Sequence, residues 1–224
     1  MSQFQHTIDC APDFALLSVT IPAGETLKVE AAAMATMDTN IEMKTKMKGG
    51  LGRLLTGENL FLNEFTAQHA PGLIRLAPAG PADIRHLSLE GSDTYFLSNS
   101  AFLASTMGVE VETKWNGMIK GFFSGAGLFL IRASGRGDLW FNSYGAIIEI
   151  EVDGDYLVDN DHIVAFSGGL SYEVERLGGY KSLFFGGEGL VCRFSGQGTV
   201  WIQTRKIAPF LGWINPFRPT KSND

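Results

Sequence analysis

Residues 134–140, SGRGDLW, decide the fold because they recur as SGQGTVW at residues 195–201. A second glycine motif precedes each copy, SGAGLFL at residues 124–130 and GGEGLVC at residues 186–192, and TGENLFL at residues 56–62 is its earlier form. Two motifs that recur in the same order indicate internal repetition, which changes what each glycine motif means. We therefore expect three similar structural units.

A third motif gives the unit boundaries. GETL at residues 24–27 matches GDYL at residues 154–157, and the middle copy starts at Gly91. The predicted units cover about residues 15–86, 87–148 and 149–205. Residues 1–205 would thus form one triplicated body, followed by an apolar, proline-rich tail at residues 206–224.

Composition and patterning indicate a β protein with many turns. The 27 glycines in 224 residues are about 12%, against an average near 7%, and glycine favours turns over helix interiors. Apolar and polar residues alternate in residues 41–48, 109–112 and 148–152, which is typical of half-buried strands. Residues 31–35, helical by propensity, are predicted as a strand because residues 161–165, their repeat counterpart, contain β-branched residues. We predict an all-β fold of sandwich-like or barrel-like units around a pseudo-threefold axis.

Charge and the first residues of the chain restrict its class. Eighteen Lys and Arg against 24 Asp and Glu give a net charge of −6, which is unfavourable for binding nucleic acid. The first ten residues resemble no signal peptide, and no stretch approaches the roughly 18 apolar residues that span a bilayer. We expect a cytoplasmic protein whose Cys10 and Cys192 are buried, reduced thiols.

The sequence contains no recognisable catalytic motif. It lacks the Gly-x-Ser-x-Gly turn of hydrolases, and its glycine loop at residues 49–57 lacks the lysine of a phosphate-binding loop. The acidic turns at residues 153–162 lack the ligand spacing of a calcium loop. We predict no enzymatic activity, no cofactor and no metal, with an enzyme that uses an unrecognised site as an alternative.

One set of candidate contacts for a ligand or partner is the only basic concentration in the chain: Lys44, Lys46, Lys48 and Arg53. Such a group would suit an acidic partner, anionic lipid or RNA phosphates. The three lysines alternate with Met43 and Met47, however, which favours the solvated face of a strand.

Trp140 and Trp201 form the other set, because they occupy equivalent positions in two units. Repeated aromatic residues in strands usually pack in a core. A platform on which bases or flat ligands stack is the alternative.

The tail carries three candidate assembly contacts, Phe210, Trp213 and Phe217. Its three prolines interrupt any long helix. Such apolar residues are normally covered by their own chain, a sister subunit or a membrane surface. Cover by protein is favoured because only Lys206 and Arg218 would face lipid phosphates.

Seven segments carry a family resemblance: residues 49–51 (GGL), 57–61 (GENLF), 124–129 (SGAGLF), 143–145 (SYG), 158–166 (VDNDHIVAF), 187–191 (GEGLV) and 202–205 (IQTR). They resemble the family named for altered inheritance of mitochondria and its bacterial relatives, a domain of unknown function. The resemblance implies units similar to the tryptophan RNA-binding attenuator protein, a short double-stranded β-helix that builds rings. It also implies self-association, in which three chains give a nine-unit ring, and it brings no catalytic residues.

Two functions follow as hypotheses. The first is a non-catalytic homo-oligomeric scaffold or binding module, with a trimer favoured and the protein partner unknown. The second is a ring that binds a small ligand or nucleic acid between units, through Trp140, Trp201 and the loop from Lys44 to Arg53. Nucleic acid is disfavoured by the acidic charge, and peripheral contact with a membrane stays open.

Overall fold

The computed structural model describes residues 4–47, 61–114, 130–176 and 190–218. Strands dominate these ranges, so the predicted all-β class is confirmed. The strands in chain order are β1 (Gln5–Asp9), β2 (Leu16–Ile21), β3 (Thr26–Glu30), β4 (Met34–Met37), β5 (Ile41–Met47), β6 (Phe61–Ala67), β7 (Gly72–Leu76), β8 (Ile84–Ser98), β9 (Phe102–Thr106), β10 (Val109–Lys114), β11 (Leu130–Asn142), β12 (Ile147–Asp159), β13 (Ile163–Ser167), β14 (Leu170–Arg176) and β15 (Leu190–Gln203). A 3-10 turn, Asn160–His162, joins β12 to β13, and the tail forms helix α1 (Ile207–Ile214) and a 3-10 turn, Asn215–Phe217.

The described strands form two open sheets. The smaller has the order β1-β2-β7-β4, and the larger has the order β12-β15-β13-β8-β11-β9-β3-β6-β5. Two further strands extend the larger sheet, with β10 beside β11 and β14 beside β15. All of these strand pairs are antiparallel.

The short strands β4, β9 and β13 each contain a one-residue irregularity in register. It occurs in β4 between Met34 and Thr36, beside Trp140 in the β9–β11 pair, and in β13 between Ile163 and Ala165. Such β-bulges bend a strand and increase its twist. The three short strands are therefore bent at similar points.

Within the described ranges, the buried apolar residues form three clusters. Trp140 belongs to the first and Trp201 to the second. Phe166 is at the centre of the third, where its ring centroid lies 5.2 Å from Phe96, 5.0 Å from Tyr172 and 5.1 Å from Phe194. Contacts between aromatic rings at these separations add to the free energy gained by burial.

The patterned segments at residues 41–47, 109–112 and 148–152 are strands, as predicted. The strand prediction for residues 31–35 is wrong at its beginning, because Ala31 and Ala32 form a turn in which Ala32 has φ = 67°. The strand begins only at Met34. Residues 31 and 32 thus form neither helix nor strand, because the chain turns between β3 and β4.

The two cysteines differ in their surroundings. Cys192 is buried as predicted, and burial raises the pKa of its thiol to about 12, with a smaller effect from the charge of Glu175. The prediction is wrong for Cys10, which is exposed. Cys10 has φ = 59° and directly precedes the turn at residues 11–13, which contains Pro12 and is exposed.

Replacing Phe166 by alanine removes the central ring of the third cluster. We expect Phe166→Ala to lower the free energy of unfolding by about 3–5 kcal/mol, because it combines lost burial with a cavity. Urea denaturation followed by tryptophan fluorescence measures this change. Ile148→Ala, on an exposed position of β12, is the control and should change stability by less than about 0.5 kcal/mol. Equal effects of the two substitutions would contradict the assignment of this core.

Candidate functional site

The structure describes only part of the basic set, so its grouping stays a prediction. Lys44 lies on β5, and its Nζ is 3.4 Å from Oε1 of Glu42. Both side chains are mostly exposed. Lys46 also belongs to β5, whereas Lys48 and Arg53 lie outside the described residues. Met43 is exposed as well, so this strand has no buried face at that point. The pairing of Lys44 with Glu42 reduces the local positive charge.

Trp140 and Trp201 are core residues, which confirms the favoured interpretation. Trp140 is fully buried, and its ring centroid lies 5.2 Å from those of both His6 and His86. Trp201 donates a 2.8 Å hydrogen bond from Nε1 to Glu149 and packs against Phe141. Neither indole presents an open face, so the stacking-platform alternative is wrong for both.

One open strand edge lies at β4. This strand pairs with β7 on one side and with no other described strand. All four of its residues are exposed, including Met34 at 38% and Met37 at 39%. An unpaired edge offers backbone N–H and C=O groups to another strand, and β4 carries no charged residue to prevent such pairing.

A second open edge lies along the last part of β12. This strand pairs only with β15 among the described residues, and Tyr156 and Leu157 are each 42% exposed. Val158 beside them is buried. The segment is therefore an unpaired edge with two large exposed apolar side chains.

Other outer strands of the described sheets carry charged residues. Glu42 and Lys44 lie on β5, Glu110 and Glu112 on β10, and β14 includes Glu173 and Glu175 as well as Arg176. Charged side chains are a common protection against unwanted strand pairing. β4 has no charged residue, and residues 156–158 form an uncharged stretch between Asp155 and Asp159 of β12, which marks both as candidate interaction surfaces.

Helix α1 confirms that the tail forms no long helix. Pro209 lies in its first turn, where backbone N–H groups lack helical acceptors and proline is tolerated. None of its residues is buried, and Phe210, Trp213 and Phe217 are all exposed. No helix in the described ranges is long and apolar enough to cross a membrane.

A pocket of about 700 Å³ lies between α1 and the segments that connect the strands. Its walls include the rings of Phe14, Tyr144, Phe210 and Trp213. The centroids of Tyr144 and Phe210 are 6.2 Å apart, as are those of Phe210 and Trp213. The tail thus meets the body of the chain through aromatic residues.

Gln203 bonds to two residues that line this pocket, Tyr144 and His162, although it does not line the pocket itself. Its Oε1 accepts a 2.9 Å hydrogen bond from Tyr144 N–H, and its Nε2 donates at 2.9 Å to the Asp161 carbonyl. The backbone carbonyl oxygen of Gln203 lies 2.6 Å from Nδ1 of His162. These bonds connect the segment before β12 with the 3-10 turn after it.

Lys206 and Asp159 form an ion pair at the base of α1, with Nζ and Oδ2 2.5 Å apart. Their side chains are only 18% and 17% exposed. Burial alone would raise the pKa of Asp159, but hydrogen bonds from Lys206 and the Asp161 backbone N–H outweigh it and hold this pKa below its ordinary value. The pair therefore anchors α1 to the end of β12.

Histidine and acidic residues meet in one buried cluster. Asp138 is fully buried with its Oδ1 2.8 Å from His86 Nε2, and the ring of His6 lies 4.3 Å from that of His86. Burial and the neighbouring His86 lower the pKa of His6, although its bond to the Phe4 backbone opposes this. Within residues 4–47, 61–114, 130–176 and 190–218, no group of three or more such side chains is arranged to hold a metal.

Sequence reasoning missed the two open edges and most of the pocket. The repeat offered a signal for the edges, because it aligns Tyr156 and Leu157 with residues of β8. Arg205 belongs to a segment that carries the family resemblance, but neither it nor Phe14 indicated a pocket, since the pocket brings together residues distant in sequence.

Comparison with known proteins agrees with the fold. The sequence profile of the family described as mitochondrial biogenesis AIM24 matches residues 6–205. An uncharacterized protein of Streptococcus pyogenes serotype M6, M6_Spy0233, is 31% identical over 235 residues, which cover 99% of this chain and 94% of that protein. The crystal structure of SPYM3_0169 from Streptococcus pyogenes superposes with a TM-score of 0.81 at 29% identity, covering 96% of this chain and all of the other.

Removing the charge of Lys206 should release Asp159. We expect Lys206→Met to raise the pKa of Asp159, because burial then acts without its cationic partner, and NMR titration of the carboxyl carbon measures it. At neutral pH the variant should lose about 1–3 kcal/mol. Because folding lowers the pKa of Asp159, its ionisation stabilises the fold at pH values above the ordinary pKa of 3.8. This stabilisation is lost as the pH falls through the pKa of the folded state. The stability difference from the unmodified chain should therefore narrow in acid.

Lys44→Met is the matched control for this ion pair, because Lys44 and Glu42 form an exposed one. It should change stability by less than about 0.5 kcal/mol. An unchanged pKa of Asp159 in the Lys206→Met variant would show that the ion pair is absent in solution.

Proposed function

The chain belongs to the mitochondrial biogenesis AIM24 family, and from this premise we propose that it is a non-catalytic homo-oligomeric β scaffold. Copies of the chain join head to tail, β4 of one copy pairing with residues 156–158 of β12 in the next. The single observation that carries the proposal is the presence, among the described residues, of two strand segments that have an unpaired edge and exposed apolar side chains.

Pairings inside the chain supply the pattern for this junction. Residues 27–29 of β3 pair with residues 104–106 of β9, and residues 95–97 of β8 pair with residues 165–167 of β13. In each case a strand that follows a glycine turn pairs with a short bulged strand further along the chain. These two pairings support the proposed three-unit organisation, with units at about residues 15–86, 87–148 and 149–205.

The short strands correspond to one another through their own partners. Ala104 lies opposite Trp140, and Ala165 lies opposite Trp201, each next to the bulge. Thr36 of β4 lies opposite Arg75, again next to a bulge. Thr36 is therefore the counterpart of Ala104 and Ala165, but it has no second partner strand in the described chain.

The longer strands correspond in the same way. Gly135 lies opposite the first residue of β10, and Gly196 lies opposite the first residue of β14. The residue four positions before Gly135 pairs with Leu97 of β8. The residue four positions before Gly196 pairs with Val158 of β12. Residues 156–158 are therefore the counterparts of residues 95–97, and they lack the neighbour that β13 provides to β8.

These correspondences fix the register of the proposed junction. Val158 would lie opposite Thr36 of the next copy, and Leu157 opposite Met37. The matching pair inside the chain is Phe96 with Phe166, whose rings stack with centroids 5.2 Å apart. Pairing Leu157 with Met37 would bury two side chains that are now exposed, and the hydrophobic effect favours this.

Such a junction joins different surfaces of two copies, so it produces either a closed ring or a filament. The family resemblance favours closure by three chains, which would give a ring of nine units. Of the candidate assembly residues, Phe210 and Trp213 already line a pocket within the chain, which leaves Phe217 as the tail residue best placed for an additional contact between copies.

Charge substitutions test the proposed register. We expect light scattering after gel filtration to give three times the 24.3 kDa chain mass, and Leu157→Glu or Met37→Lys to give the single-chain mass, because each buries an unpaired charge. The double variant should recover the larger mass, since the introduced carboxylate and the introduced ammonium group would then meet across every junction.

Met107→Lys is the matched control, because Met107 is 46% exposed and lies on neither edge. It should leave the mass unchanged. A monomeric unmodified chain at all concentrations, or single variants that keep the larger mass, would contradict the proposal.

A further inference from the structure

We propose that the pocket beneath α1 binds a planar aromatic carboxylate. Its flat apolar body would lie among the rings of Phe14, Tyr144, Phe210 and Trp213, and its carboxylate would meet the guanidinium of Arg205. This site is separate from the proposed strand junction, because no residue of β4 and none of residues 156–158 lines the pocket.

The size and lining of the pocket suit a small aromatic molecule. A volume of about 700 Å³ lies within the range of about 300–1,000 Å³ typical of small-molecule sites, which are mostly apolar with a few polar groups. The aromatic rings come from both the body and the tail, and they line a pocket that is open to solvent. Phe14 is 73% exposed, which leaves its ring face available for a flat partner.

Arg205 is the cation that is free to bind the ligand's charge. It lines the pocket, and no acidic side chain lies within ion-pair distance of it among the residues that the structure describes. Lys206 is already paired with Asp159, and Nδ1 of His162 is bonded to the Gln203 carbonyl. A guanidinium binds a carboxylate with two parallel hydrogen bonds.

Gly145 helps to position the side chain of Arg205. A Cβ added to Gly145 would lie 2.8 Å from Cγ of Arg205 and 2.6 Å from Oγ1 of Thr204, and its φ of +77° also disfavours other residues. The stem of Arg205 therefore packs directly against the Gly145 backbone. Thr204 is held in turn by a 3.0 Å hydrogen bond from Ala146 N–H to its Oγ1.

Asp13 limits where the ligand's charge can lie. It also lines the pocket, and like charges repel within a shared site. A carboxylate would therefore be drawn towards Arg205 and away from Asp13. Opposite effects of neutralising these two residues are the signature of an anionic ligand.

Binding of naphthalene-2-carboxylate to the full chain tests the proposal. We expect isothermal titration calorimetry to show saturable binding, with the neutral naphthalene-2-carboxamide binding about tenfold more weakly because it lacks the charge that Arg205 recognises. Quenching of Trp213 fluorescence, lost in Trp213→Phe, would place the ligand in this pocket.

Two charge-neutralising variants form a matched pair. Arg205→Gln should raise the dissociation constant about tenfold, whereas Asp13→Asn should leave it unchanged or lower it. Gly145→Ala should also weaken binding by displacing Arg205, while the helical circular dichroism of α1 is retained. The midpoint of thermal unfolding of each variant checks that it is folded.

Several results would overturn the proposal. These are no binding at millimolar probe, equal affinity for acid and amide, an unchanged dissociation constant in folded Arg205→Gln, or weaker binding in Asp13→Asn. Because the pocket and the strand edges share no residue, these outcomes are independent of whether the chain assembles.

Discussion

Pairing of the bulged strands β9 and β13 with strands from earlier parts of the chain is the constraint on which the rest of the structure depends. Three residue pairs between β3 and β9, and three between β8 and β13, make the larger sheet continuous. Each of these pairings occupies one edge of both strands. Among the described residues, β4 and residues 156–158 each keep an edge that has no such partner.

The same constraint explains which side chains are exposed. Phe96 packs against Phe166 because β13 covers its strand, and Lys28 is buried beside β9 with a hydrogen bond from its Nζ to the Val109 carbonyl. Leu157, at the matching position of β12, has no covering strand and stays exposed. Exposure of an apolar residue at a position that is covered elsewhere in the chain indicates a missing neighbour, which we propose is a second copy.

Much of the fold could be predicted from the sequence because strand patterning and repeated glycine motifs are local signals. Alternation placed the strands at residues 41–47 and 109–112 correctly. It could not predict the turn at Ala31 and Ala32, which depends on the path from β3 to β4. The exposure of Cys10 was also missed, because it results from a turn whose backbone has φ = 59°.

The candidate sites were less predictable because they depend on contacts between distant residues. The sequence motifs predict equivalent positions for Trp140 and Trp201, and both side chains are buried in apolar clusters. Lys44 pairs with the exposed Glu42, a contact that the charge pattern of the set did not indicate. The pocket brings Phe14, Tyr144 and Arg205 together only after the connecting segments assemble, so no pattern along the chain could reveal it.

Disulfide trapping tests the proposed junction most directly. Side chains directly opposite each other in antiparallel strands have Cβ atoms about 4.5–5.5 Å apart, so Met37→Cys and Leu157→Cys in a Cys10→Ser background should oxidise with little movement. In a mixture of isotopically light and heavy chains, we predict a disulfide that joins positions 37 and 157 of different chains and a covalent species of three chains. The absence of this disulfide, or its formation only within single chains, would contradict head-to-tail assembly.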